Sequence, residues 1–99
     1  MTTKKLIPHL EKELGKINFG MFLRVARKSQ ELTQVTMAKK LDMAKGTLCD
    51  IEKGRQTISP ELAFKIARKC GLSEIVAVQL AIQDQLTKSK LNFKVKLAA

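Results

Sequence analysis

Lys45, Gly46, Thr47 and Asp50, followed by Lys53 and Arg55, gather small, hydroxyl, acidic and basic groups into one short stretch. At this spacing they do no covalent chemistry. No nucleophile sits beside an evident base, and the lone histidine, His9, is far away in the chain. They are groups that hydrogen-bond and neutralise a polyanion. Lys and Arg suit phosphates, Asp can accept from cytosine N4, and glycine permits close backbone approach.

Composition agrees with that chemistry. The 99 residues carry 19 Lys and Arg against 9 Asp and Glu, a formal charge of +10. Such an excess favours polyanionic partners, nucleic acid first and an acidic membrane or protein surface second. Ribosomal and other structural RNA binders share the signature, so charge alone does not select DNA. With no Trp, no Tyr and four Phe, a single-strand binder that stacks bases on aromatic platforms is disfavoured. The nine acids are dispersed, which argues against a nuclease, and no glycine-rich phosphate loop or metal cluster is evident, so neither an enzyme nor a cofactor is expected. Cys49 and Cys70 are isolated, without a CxxC, and fit a reducing cytoplasm. The apolar run after Lys4 and Lys5 is broken at Pro8, His9, Glu11 and Lys12, so neither a signal peptide nor a membrane partner is expected.

The elements that must position these groups are read from apolar spacing and end signals. Lys4 to Leu14 forms a leading amphipathic arm stopped by Gly15, and residues 1–18 are assigned to it. A helix runs from Phe19 to about Ser29, with Phe19, Phe22, Leu23 and Ala26 inward and Arg24, Arg27 and Lys28 displayed. Thr33 caps the next helix, in which Met37, Ala38 and Leu41 face inward. Asp42 breaks it in a left-handed turn, and Met43 plugs inward. Leu48 and Ile51 are the buried stripe of a third helix, ended by Gly54. Ser59-Pro60-Glu61 starts a fourth, lined by Leu62, Ala63, Ile66, Ala67 and Cys70 and stopped by Gly71. A fifth opens at Ser73-Glu74, and its Ile75, Val76, Val78, Leu80, Ile82 and Leu86 cover more than one face, which leaves part of it for a partner chain.

Residues 19–88 thus make one all-α, five-helix domain. The tail, residues 89–99, changes period: Leu91, Phe93, Val95 and Leu97 alternate with Asn92, Lys94 and Lys96, a strand pattern. A lone strand must pair with its counterpart in a dimer or with another protein, unless it is a frayed basic tail.

Two short helices joined by a three- or four-residue turn, the second opening in small and basic residues, form a helix-turn-helix that offers a narrow end to the DNA major groove. The run LRVARKSQELTQVTMAKKLDMAKGTLCDIEKGRQTISPELAFKIA, Leu23 to Ala67, resembles the phage-repressor-like (Cro/repressor, XRE) helix-turn-helix family. The resemblance implies a repressor-like domain that binds double-stranded DNA, usually as a two-fold homodimer on palindromic half-sites. It implies that Gln34 grips a phosphate, that Lys45, Gly46, Thr47 and Asp50 meet base edges or flanking backbone, and that Lys53 and Arg55 touch the backbone. It also implies a partly buried salt bridge between Arg27 and Glu52. Ala44 departs from the family pattern, standing where a Ser or Thr cap is usual, and Gly46 brings no side chain to read a base.

The leading expectation is a cytoplasmic transcriptional regulator, a repressor acting as a homodimer through the fifth helix and tail, with Ile75, Val78, Ile82, Phe93 and Val95 at the interface. The alternative on the same scaffold is an antitoxin that binds a toxin protein and represses its own operon, with the arm or the tail as the partner element.

Overall fold

The computed structural model describes residues 17–97, and the arm expected over Lys4 to Leu14 lies outside them. Five helices follow in order: α1 (Phe19–Ser29), α2 (Gln34–Lys40), α3 (Lys45–Glu52), α4 (Pro60–Cys70) and α5 (Glu74–Lys88). Their starts are set by side chains accepting from orphan N–H groups: Asn18 from Met21, Thr33 from Thr36, Ser59 from Leu62 and Ser73 from Val76. α3 alone among the five has no side-chain cap, because Ala44 stands at that position. Gly54 and Gly71 take left-handed conformations after α3 and α4, with φ of 75° and 69°. Asp42 does the same at φ 56° between α2 and α3, as do Glu31 after α1 and Lys90 after α5.

One core holds these helices, with Phe19, Leu23, Met37, Leu48, Ile51, Ile66 and Leu80 as its largest fully buried side chains. The wide apolar surface of α5 divides differently from its sequence. Ala77, Leu80 and Ala81 form the packed face, and Ile75 stays 42% exposed. Ala63 and Ala67 on α4 are likewise fully buried, and small side chains on both helices permit the close α4–α5 packing that dominates the fold.

The tail corrects the sequence reading. No residue between Leu91 and Leu97 is in a strand. Its backbone pairs with a side chain: the Gln83 amide donates to Phe93 O at 2.8 Å and accepts from Val95 N at 2.9 Å. The period-two pattern is present in the residues, but the described chain supplies no neighbouring strand for it.

α1 sits against the C-terminal end of α3 at Gly20. A Cβ there would fall on the carbonyl oxygens of Ile51 and Glu52, so only glycine allows this approach. Immediately before it, the Phe19 N–H donates to Asp84 Oδ2 on α5 at 2.9 Å. Burial pushes the Asp84 carboxyl above its ordinary value, against the opposing effect of that hydrogen bond. On the other side of α3, Gln85 Nε2 donates to Ile58 O at 3.1 Å. α5 therefore holds both the start of α1 and the segment that follows α3.

Gly20→Ala is expected to cost about 3 kcal/mol, the upper part of the overpacking range, read as a lowered urea midpoint. For Asp84 the folded state binds its proton more tightly than the unfolded chain. Its contribution is therefore fully favourable below the ordinary carboxylate pKa and is lost as pH rises through the raised one. Asp84→Asn keeps an acceptor for Phe19 N–H, and its melting temperature should lack this slope when both proteins are scanned from about pH 4 to about pH 7.

Candidate nucleic-acid interface

The side of α3 away from the core holds the residues singled out in the sequence. Lys45 and Gly46 in its first turn are exposed, Thr47 and Asp50 are partly exposed, and Leu48, Ile51 and Glu52 are buried behind them. Lys53 and Arg55 follow the helix and are exposed. The four-residue connection Leu41–Ala44 sets α3 against α2 at the left-handed Asp42. Leu41 is buried and Met43 packs on the core, so the turn is anchored on both sides.

Glu52 fixes the back of this helix. Arg27 Nε donates to Glu52 Oε2 at 2.7 Å and Arg27 Nη2 to Oε1 at 3.1 Å, a bidentate fork. Gln34 Nε2 donates to the same Oε1 at 3.1 Å, and Arg27 Nη1 reaches Leu32 O at 2.9 Å. The side chains are 11% and 2% exposed for Arg27 and Glu52. Hydrogen bonding to Glu52 raises the Arg27 pKa, outweighing burial. Arg27 therefore faces the interior, not the displayed basic face on which it was grouped with Arg24 and Lys28. The network ties α1, the start of α2 and the end of α3 to one carboxylate.

Gln34 has one amide hydrogen committed to Glu52; the second can serve another acceptor. Asp50 Oδ1 meets Arg55 Nη1 at 3.5 Å, with the side chains 46% and 64% exposed, a long pair that contributes little to stability. A Cβ on Gly46 would meet nothing within 4 Å. Gly20, Asp84 and Gln85 escaped the sequence reading. An isolated glycine in an apolar helix start was the available signal for Gly20; Asp84 and Gln85 read as ordinary polar positions.

Cys49 and Cys70 are free thiols, and burial pushes the Cys70 pKa up, which keeps it a protonated packing group. Among the described residues no group of His, Cys, Asp and Glu could hold a metal ion, and no helix is long and apolar enough to cross a membrane.

A compact helix pair with one narrow, basic-flanked helix end turned outward defines a helix-turn-helix module. The helix-turn-helix family model of the XRE/Cro-like type matches residues 23–75, over half the chain, and the protein belongs to that family. It is similar to an uncharacterized HTH-type transcriptional regulator of Methanocaldococcus jannaschii, 44% identical over 50 residues that cover 50% of this chain and 76% of the relative. No solved structure matches it. The protein is a non-enzymatic, DNA-binding transcriptional regulator.

Removing one partner of the Arg27–Glu52 pair strands a buried charge. Arg27→Met or Glu52→Leu alone should cost about 3–5 kcal/mol in urea unfolding, and the double variant should recover most of the loss.

Proposed function

We propose that the protein is a repressor that binds a palindromic operator as a homodimer and acts in the cytoplasm by occupying DNA. The observation that carries this reading is the outward first turn of α3, open around Gly46 and braced behind by Arg27, Glu52 and Gln34. In this reading Lys45 and Thr47 meet base edges or flanking phosphates, and the Gly46 backbone lies close to the duplex. Lys53 and Arg55 contact the sugar-phosphate backbone, and Gln34 donates its second amide hydrogen to a phosphate.

Asp50 and Arg55 exchange partners on binding: Arg55 leaves a weak 3.5 Å contact for a phosphate, and Asp50 accepts from a cytosine N4. Asp50 then selects a G·C pair. The homodimer forms on the outer side of α5 with Ile75, Val78 and Ile82, extended by the side chains of Phe93 and Val95. Phe93 is 65% exposed and Ile75 is 42% exposed, which supports an uncovered apolar surface there.

Selection of bound duplexes from a randomised pool at near-physiological salt tests the operator. A recovered palindrome fits a dimer that reads sequence, whereas no preferred sequence removes the operator reading. Repeating the selection with Asp50→Ala should relax preference at one symmetric G·C position; an unchanged consensus would remove Asp50 as a discriminator. Gly46→Ala separates contact from folding. It should stabilise the free protein by about 0.4–1 kcal/mol, as Ala replaces Gly in an open helical position, while weakening binding to the selected duplex.

A further inference from the structure

One edge of the tail backbone is hydrogen-bonded to the side chain of Gln83. In extended chain, alternate residues turn their N–H and C=O groups to opposite edges. Gln83 takes Phe93 O and Val95 N, the pair of bonds that a residue of a parallel neighbouring strand would make. The amide side chain thus takes the place of a strand residue along the Phe93–Val95 edge. The other edge belongs to Asn92, Lys94 and Lys96, which are exposed.

We propose that this second edge pairs with the exposed edge strand of a different protein whose neighbouring side chains are acidic. Two observations choose the partner. Residues 88–97 contain Lys88, Lys90, Lys94 and Lys96 and no Asp or Glu. A copy of the same tail, paired antiparallel about Lys94, would set Lys94 against Lys94, a destabilising arrangement. An acidic strand reverses that sign and supplies both donors and acceptors. Duplex DNA offers phosphate acceptors but no regular partner for the outward carbonyls. The side chains of Phe93 and Val95 leave the chain across its plane, so this pairing does not consume the apolar surface proposed for the homodimer.

The probe is a synthetic eight-residue peptide alternating glutamate with valine, compared with its lysine counterpart, against the full chain. In the free protein the Val95 amide should exchange more slowly than those of Lys94 and Lys96. Adding the acidic peptide should protect Lys94 and Lys96 as well, and the lysine peptide should not bind. Lys94→Pro removes the outward N–H and should weaken peptide binding at least tenfold, while Lys94→Gln, which keeps it, should weaken binding less than threefold. The far-ultraviolet helix signal and the melting temperature serve as the folding control for both variants. The inference is overturned if the acidic peptide does not bind or if Lys94→Pro and Lys94→Gln weaken it equally, which would leave bare charge attraction. It is also overturned if sedimentation shows self-association lost in Lys94→Pro but kept in Phe93→Ala, which would make the partner of the backbone edge a second copy, or if both variants weaken duplex binding, which would make Lys94 a phosphate contact.

Discussion

The arrangement of the helix pair depends on the solvation of one carboxylate. Glu52 is buried at the end of α3, and a buried charge is tolerated only when paired and hydrogen-bonded. Arg27 from α1 and Gln34 from α2 supply donors to both of its oxygens. Hydrophobic packing would accept small rotations of α3, but three directed hydrogen bonds do not. Ion pairing here fixes orientation more than it adds stability, since buried pairs often gain little over an apolar replacement. The observation that no buried side-chain polar atom among the described residues lacks a partner shows that the network is complete.

The contacts of α5 extend that constraint to the rest of the molecule. Asp84 receives the first N–H of α1, and Gln85 holds the carbonyl of Ile58 after α3. Between them, Gly20 lets α1 touch the last carbonyls of α3 without an intervening side chain. Orientation of the outward helix therefore passes by direct backbone contact to α1 and by hydrogen bonds to α5, the helix whose outer side is proposed to meet a second protomer.

Much of this was legible in the residues because local rules govern it. Thr33 and Ser59 cap where hydroxyl N-caps are expected, Asp42 turns left-handed, Gly54 and Gly71 end their helices, and Met37, Leu48 and Ile51 are buried at helical spacing. What was not legible depends on who the neighbours are. The wide apolar surface of α5 could not reveal that Ala77 and Ala81 face the core while Ile75 faces out, because close packing favours small residues over the most hydrophobic ones. The tail alternates as a strand does, yet nothing in a period of two says that a glutamine ten residues earlier will occupy one edge. Asp84 looks like any helix-surface acid until α1 is placed against it.

The division of labour on α3 has an evolutionary consequence. Leu48, Ile51 and Glu52 carry its packing, while Lys45, Gly46, Thr47 and Asp50 contribute nothing to the core. Substitutions away from core, cap and network positions usually change stability by no more than about 0.5 kcal/mol. A lineage carrying this scaffold can therefore drift through altered outward residues one at a time, without an intermediate that fails to fold. The vacant space at Gly46 enlarges that neighbourhood, since an added Cβ meets no neighbouring atom there.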